Sequence, residues 1–203
     1  MIKVIFFDVD NVLYRSGWRP AIVASERRHK YPRGRLYASA HDRPYWKAFT
    51  LGRITERQYW QSVARDFFSV TGQHINQAEL QSDFRRHTRM IPGMKVLLQR
   101  LAKHYRVGII SNYPREWHVW AIKHFKLAPF VSCTAVSGVL HIRKPDQRIF
   151  RKALRLARVR PAESLYIDDR PERAIGAHQI GIPTVVFRTS AQLKKKLHRL
   201  HII

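Results

Sequence analysis

The chain has a single cysteine, Cys133, among 203 residues. An internal disulfide is therefore excluded, and the thiol reads as a small packed hydrophobe in a reducing compartment, not as a nucleophile. Acids are scarce: 14 Asp and Glu stand against 38 Lys and Arg, a formal net charge of +24. No apolar run reaches the roughly 18 residues of a membrane span, and no basic segment with an apolar core and cleavage site precedes the first strand-like residues. The expectation is a cytoplasmic protein with no membrane attachment. There is also no internal repeat, no low-complexity tract and no RNA-binding motif with interleaved aromatics. The basic excess leaves two readings open. It is a field that attracts polyanions, or it is a solvated surface: the basic residues are spread along the chain, with short runs such as Lys194-Lys195-Lys196 and no dominant block.

What is present is a globular composition, 45% hydrophobic with five Trp, at a length suited to one domain with an insertion. From about residue 90 the pattern alternates. Met94 to His104 places Met94, Leu97, Leu98 and Leu101 on one helical face, and Arg106 to Ile110 reads as a buried strand. A helix over Glu116 to Phe125, a strand over Phe130 to Val136 and a helix over Asp146 to Ala157 follow. Ser164 to Ile167 and Thr184 to Phe187 read as strands, Pro171 to Ile180 and Ala191 to Leu200 as helices. Strands alternating with helices imply an α/β fold, a doubly wound, Rossmann-like parallel sheet covered on both faces. The apolar strand Val4 to Phe7 is expected to join that sheet.

Residues 14 to 90 lack strand runs of comparable length. Thr55 to Gln58 has capping-box spacing ahead of a stripe of Tyr59, Trp60, Val63, Phe67 and Phe68, and Asn76 can cap a further helix carrying Ala78, Leu80 and Phe84. Tyr45, Trp46 and Phe49 also sit at helical spacing, while residues 30 to 42 read as loop. The expected organisation is a core of residues 1–15 and 91–203, with residues 16–90 inserted as a helical unit after the first strand.

The chemistry lies at strand ends, where open parallel sheets place their ligands. Val4 to Phe7 runs straight into Asp8 and Asp10. Two acids on alternate residues face the same side and repel each other, which suits a bound cation. Ser111-Asn112 follows the second strand and Asp168-Asp169 the fourth, with Lys144 in a loop between them. Taken singly each has a bland explanation: a turn, a helix lead-in capped by Asp146, or acids at a helix start. Together they offer carboxylates for a divalent cation, a hydroxyl and amides for an anion, and a lysine to offset its charge.

In that order the residues resemble the haloacid dehalogenase-like phosphatase superfamily. FFDVDNVLY is similar to its first motif, IISN to its second with Ser111, IRKPD to its third with Lys144, and YIDD to its fourth with Asp168 and Asp169. The insertion falls where the family carries its small helical cap. The downstream segments resemble sugar-phosphate phosphatases and the N-terminal phosphatase domain of soluble epoxide hydrolases. There a DD-x-x-x-N-x-x-x-A-x-x-x-G segment follows the fourth strand; here Arg173 replaces the Asn, while Ala177 and Gly181 remain. Asn11 and Val12 stand where many members have Gly and Thr.

The resemblance implies a Mg²⁺-dependent phosphatase of small phosphomonoesters, such as sugar phosphates or nucleotides. Asp8 would be the nucleophile, giving an aspartyl phosphate, and Asp10 the general acid and base. Asp8, the Asp10 carbonyl, Asp168 and Asp169 would serve the metal. Ser111 and Asn112 would hold phosphoryl oxygens, and Lys144 would offset their charge. Arg115 is a candidate for a substrate anion, and Arg15, Trp18 and Arg19 for specificity at the entrance. Trp117 and Trp120 are expected in packing, and His118, His124 and His141 lack metal spacing. Asp10 argues against a 2-haloacid dehalogenase, whose members usually lack that second acid, and no cap residues suggest a phosphomutase. The alternative is a basic, nucleic-acid-associated protein or a phosphatase of polynucleotide ends. Monomer and homodimer both remain open.

Overall fold

Val4–Phe7 forms strand β1, and all four side chains are fully buried. A strand without a solvent-facing side must lie inside a sheet covered on both faces. The computed structural model describes residues 1–203 and places β1 at the sheet's centre. After β1 come the short strand β2 (Tyr14–Arg15) and five helices: α1 (Trp18–Arg28), α2 (Arg35–His41), α3 (Pro44–Thr50), α4 (Glu56–Thr71) and α5 (Gln77–His87). Strand β3 (Arg89–Met90) returns the chain to helix α6 (Met94–Leu101), strand β4 (Arg106–Ser111) and helix α7 (Arg115–His124). Strand β5 (Cys133–Val136), helices α8 (Ser137–Leu140) and α9 (Gln147–Ala157), and strand β6 (Ser164–Asp168) follow. Helix α10 (Pro171–Gln179), strand β7 (Thr184–Val186) and helix α11 (Ser190–Arg199) complete the fold.

The main sheet has the order β5-β4-β1-β6-β7, and every pairing is parallel. Successive side chains of a strand point to opposite faces. Ile5 and Phe7 accordingly join an apolar cluster with Leu97, Trp117 and Leu193, while Val4 and Phe6 join another with Ile149, Phe150 and Ala177. Helices therefore cover both faces, as the doubly wound reading expects. Helix α9 shows why the sequence folds this way: Ile149, Phe150, Ala153, Leu154 and Ala157 form a buried stripe at helical period, and Asp146 caps the helix by accepting from the Arg148 N–H.

The five inserted helices share the first cluster, which runs without a break from Ile5 and Phe7 to Trp18, Tyr59, Phe67 and Phe84. Phe84 of α5 stacks on Trp117 of α7, with ring centroids 4.2 Å apart. The Thr55 capping box and the Asn76 cap form as their spacing predicts. At the base, β2 and β3 pair antiparallel, Tyr14 opposite Met90 and Arg15 opposite Arg89, so both connections run side by side. Gly17 donates its N–H to Thr88 Oγ1 at 2.9 Å, and a Cβ there would run into the Phe84 carbonyl oxygen.

Two expected elements are corrected. Residues 35 to 41 are helical and not loop, because Leu36 and Ala40 are buried one turn apart and the buried Glu26 carboxylate accepts from the N–H groups of Gly34, Leu36 and Tyr37. Those are the orphan donors of a helix start, satisfied here from the preceding helix instead of by a local cap. The strand expected from Phe130 begins only at Cys133, since Phe130 closes a turn onto the Leu127 carbonyl and Ser132 N–H already reaches Val107 O. No helix is long and apolar enough to cross a membrane.

Candidate active site

The carboxyl ends of β1, β4 and β6 converge. Asp8 follows β1 and is buried; its Oδ1 accepts from the Val9 N–H at 2.8 Å. Its Oδ2 lies 3.0 Å from Lys144 Nζ, an ion contact outside hydrogen-bond geometry, so that oxygen receives no hydrogen bond within the chain. Lys144 is buried as well. Its ammonium donates to Asp168 Oδ2 and to Tyr166 Oη, each at 2.7 Å, and Tyr166 in turn donates to Asp168 Oδ2 at 2.5 Å. Burial and the neighbouring charges of Asp8 and Asp168 push the Tyr166 phenol far up, which keeps its proton available for that bond. Asp168 Oδ1 accepts from the Arg170 N–H at 2.8 Å. Burial alone would raise the Asp168 carboxyl, but the Lys144 charge and these hydrogen bonds outweigh it and hold the group below the usual range.

Oxygen atoms of Asp8, Asp168 and Asp169 lie within 4.8 Å of one another. Burial, together with the charges of Asp8 and Asp168, pushes the half-buried Asp169 up to about 6. Three acids with one ammonium among them, and one buried oxygen without a donor, fit a hard divalent cation with oxygen ligands. The Asp10 side chain is outside this group. Its Oδ1 accepts from the Ser16 N–H at 3.0 Å, and burial, with a smaller push from Asp8, raises its carboxyl to about 6. The two acids of the first motif thus sit in different environments, one among charges and one in a partly dry cavity, as an acid–base division requires.

Ser111 is buried at the end of β4. Asn112 spends its side chain on the loop that carries Lys144, donating to the Lys144 carbonyl and accepting from its N–H. A cavity of about 450 Å³ opens from these strand ends toward the inserted helices. Asp10, Ser111 and Asn112 line it from below, and Trp18, Tyr37 and Trp46 from above. Arg15 and Arg19 border it, as the entrance reading expects. A wider groove of about 1070 Å³ runs along α9, but it holds none of the strand-end acids. Its one carboxylate, Glu163, is already paired with Lys3 and Arg160.

Arg115, expected at a substrate anion, is not among the residues that line the strand-end cavity. Helix α7 starts at Arg115 directly after Pro114, and the side chain borders a small separate hollow beside Gly52 and Gln58. The arginines that line the main cavity are Arg15, Arg19, Arg143, Arg170 and Arg173. Arg143 was legible only as the residue before Lys144, and Arg173 only as a departure from the resembled pattern. Tyr166 was missed although it stands two residues before Asp168 and so shares its face of the strand. His118 and Trp117 are buried in packing, and His141 Nδ1 meets the Leu51 carbonyl at 2.7 Å, away from the acids.

A parallel sheet of this order, with acids gathered at its carboxyl edge beneath an inserted helical unit, defines a class of α/β hydrolytic enzymes. The sequence pattern of the haloacid dehalogenase-like hydrolases matches residues 2–181, and the chain belongs to that family. It is 28% identical to flavin mononucleotide hydrolase 1, a chloroplastic protein of Arabidopsis thaliana, over 99% of this chain and 78% of that one. It is 34% identical to glyceraldehyde 3-phosphate phosphatase of Pyrococcus furiosus over 106 residues, which is 50% of this chain and 43% of the relative. Among solved structures, a family enzyme of Bacteroides thetaiotaomicron in complex with magnesium and inorganic phosphate superposes with a TM-score of 0.76. The identity is 18%, over 94% of this chain and 96% of that one. A hydrolase of Bacillus subtilis bound to magnesium gives 0.73 at 18% identity, over 97% and 99%. At such identities these structures speak for the fold.

Proposed function

We propose that this hydrolase is a phosphatase that cleaves small-molecule phosphomonoesters through an aspartyl phosphate on Asp8, with Mg²⁺ as its cofactor. The observation that carries the reading is the pairing of a buried, charge-compensated Asp8 with an Asp10 whose carboxyl is raised to about 6. An Asp8 oxygen forms a bond to phosphorus while the bond from phosphorus to the leaving oxygen breaks, and Asp10 gives that oxygen its proton. Asp10, now a carboxylate, takes a proton from water; the water oxygen bonds to phosphorus, the bond to Asp8 breaks, and inorganic phosphate and free Asp8 result. Ser111 and the main chain at Asn112 receive the phosphoryl oxygens, and Lys144 offsets their charge and orients Asp8. Asp8, Asp168, Asp169 and the Asp10 carbonyl would hold the metal, which supplies positive charge to the phosphoryl group when bound. The relatives named for flavin mononucleotide and glyceraldehyde 3-phosphate support small phosphorylated substrates, and a cavity of about 450 Å³ suits them.

The test is Mg²⁺-dependent phosphate release from a panel of sugar phosphates, nucleotides, flavin mononucleotide and an aryl phosphate. Turnover that is lost in Asp8→Asn and with chelator is the expected result. Folded, metal-loaded protein that releases no phosphate from any of them would overturn it. A second reading, polynucleotide binding, is favoured by the basic groove along α9, where Arg148, Arg151, Lys152, Arg155, Arg158 and Arg160 surround an apolar floor. Retention on RNA that falls steeply with salt would support it, because bound cations displace counterions.

A further inference from the structure

We infer that Arg143 and Arg173 form a second anion subsite within the cavity, selecting phosphomonoesters that carry a further anionic group, a carboxylate or a second phosphate. The inference rests on the phosphatase reading for the identity of the first anion. Five guanidinium groups and one carboxylate, that of Asp10, line the cavity. Two of the five have other engagements: Arg170 is paired with Glu172, and Arg19 lies over the Tyr37 ring at 5.3 Å. Arg15 is exposed to solvent, where its charge is screened.

Arg143 and Arg173 differ from these. Both are half-buried, and neither has a carboxylate oxygen in ion-pair contact, although the Arg173 charge acts from farther off on Asp10, Asp169 and Glu172. The Arg143 guanidinium uses a single N–H, donating to Thr50 Oγ1 of α3 at 2.9 Å; the Arg173 guanidinium makes no hydrogen bond within the chain. A guanidinium carries five donors in a rigid fork suited to carboxylate and phosphate oxygens. The two groups are close enough to repel, and that repulsion adds to burial in lowering the affinity of Arg143 for its proton. Like charges held together, half-dry and with unused donors, favour an anion between them.

Lys144 cannot fill this role. Its ammonium is wholly buried and committed to Asp8, Asp168 and Tyr166. Arg143 comes from the core loop and reaches an inserted helix, so the subsite lies where the two parts meet. Arg173 comes from the first turn of α10, directly after the Asp168-Asp169 pair. A substrate bound with its reacting phosphoryl group at Asp8 would therefore present its other end toward the pair. Flavin mononucleotide and glyceraldehyde 3-phosphate carry one phosphate and no second anion, so the inference separates this chain from the relatives named for them.

The experiment compares 2-phosphoglycolate, 3-phosphoglycerate and fructose 1,6-bisphosphate with glycerol 3-phosphate, glyceraldehyde 3-phosphate and flavin mononucleotide. The expected result is a kcat/KM at least about tenfold higher for the first group in the wild type. That ratio should collapse in Arg143→Gln and in Arg173→Gln, chiefly through KM. A wild-type ratio near one, or an equal fall for both groups in the variants, would overturn the inference; the latter would place the pair on the transferred phosphoryl group instead. Binding of 2-phosphoglycolate and glycerol 3-phosphate to Asp8→Asn, followed by the fluorescence of Trp18 and Trp46, reads the same preference without turnover. Tighter 2-phosphoglycolate binding supports the subsite, and equal affinities overturn it. Absence of turnover alone counts against the phosphatase reading.

Discussion

Asn112 and Lys144 exchange two hydrogen bonds: Asn112 Nδ2 donates to the Lys144 carbonyl at 3.0 Å, and the Lys144 N–H donates to Asn112 Oδ1 at 2.8 Å. The side chain at the end of β4 therefore fixes the main chain that delivers the ammonium to Asp8. Asn112→Ala removes both bonds at once. Its kcat is expected to fall about 10- to 100-fold, as for other supports of a charged site, with a smaller change in KM. Steady-state kinetics beside a thermal melt would decide: unchanged kcat in a folded variant would show that the loop needs no such tie.

Lys144→Met leaves Asp8 and Asp168 buried without their cation. Breaking a buried ion pair from one side costs about 3–5 kcal/mol, and the urea midpoint should fall accordingly. Added Mg²⁺ should return part of the loss, because the three acids then regain a positive partner. A variant as stable as the wild type in chelator would contradict this account of the cluster.

Gly52 holds the inserted helices against the core by close backbone approach, and Gly17 holds the start of α1 against the end of α5 within the insertion. A Cβ at Gly17 would meet the Phe84 carbonyl, and one at Gly52 would meet the Gly138 carbonyl from a left-handed φ of +66°. Neither obstacle is a movable side chain tip. Gly17→Ala and Gly52→Ala are each expected to cost about 1–3 kcal/mol, read by chemical denaturation. Wild-type stability in both would mean that these backbone approaches adjust at no cost.

His118 supplies a pH test. Burial lowers its imidazole from the ordinary 6.5 to about 4, and its Nδ1 is buried without a partner. The folded protein thus binds this proton more weakly than the unfolded chain. Its contribution is fully present above pH 6.5 and is lost as pH falls toward 4, on the order of 3 kcal/mol in total. Asp10 and Asp169, raised to about 6, work in the opposite direction, since their folded forms take up protons first. The difference between wild type and His118→Gln across that window isolates the histidine. Parallel pH curves for the two proteins would refute the assignment.

The sheet was legible because a buried parallel strand leaves an unmistakable apolar run, as Val4 to Phe7 does, and because motifs at strand ends fall together once strand order is known. Helix α2 was not legible, since its cap is Glu26, a residue of another helix. The ribbon of Tyr14–Arg15 and Arg89–Met90 is too short to show a period. Among site residues, the acids, Ser111 and Lys144 could be read from position alone. Arg143 and Arg173 could not, because one basic residue among 38 has no mark that sets it apart until the fold brings it to a cavity. Arg115 borders a separate hollow, since nearness to the second motif in sequence says nothing about which side of α7 faces the cavity.

Phe84 rests on Trp117, and the apolar cluster passes through that contact from the sheet into the inserted helices. Exchanging the inserted helices for another unit would cut through this cluster. In this chain the graft would have to bring its own counterpart to Trp117, Tyr113 and Leu97, or leave them facing water. Heat should accordingly melt core and insertion in one transition, and substrate range should drift by single substitutions around the cavity more readily than by replacement of the unit that roofs it.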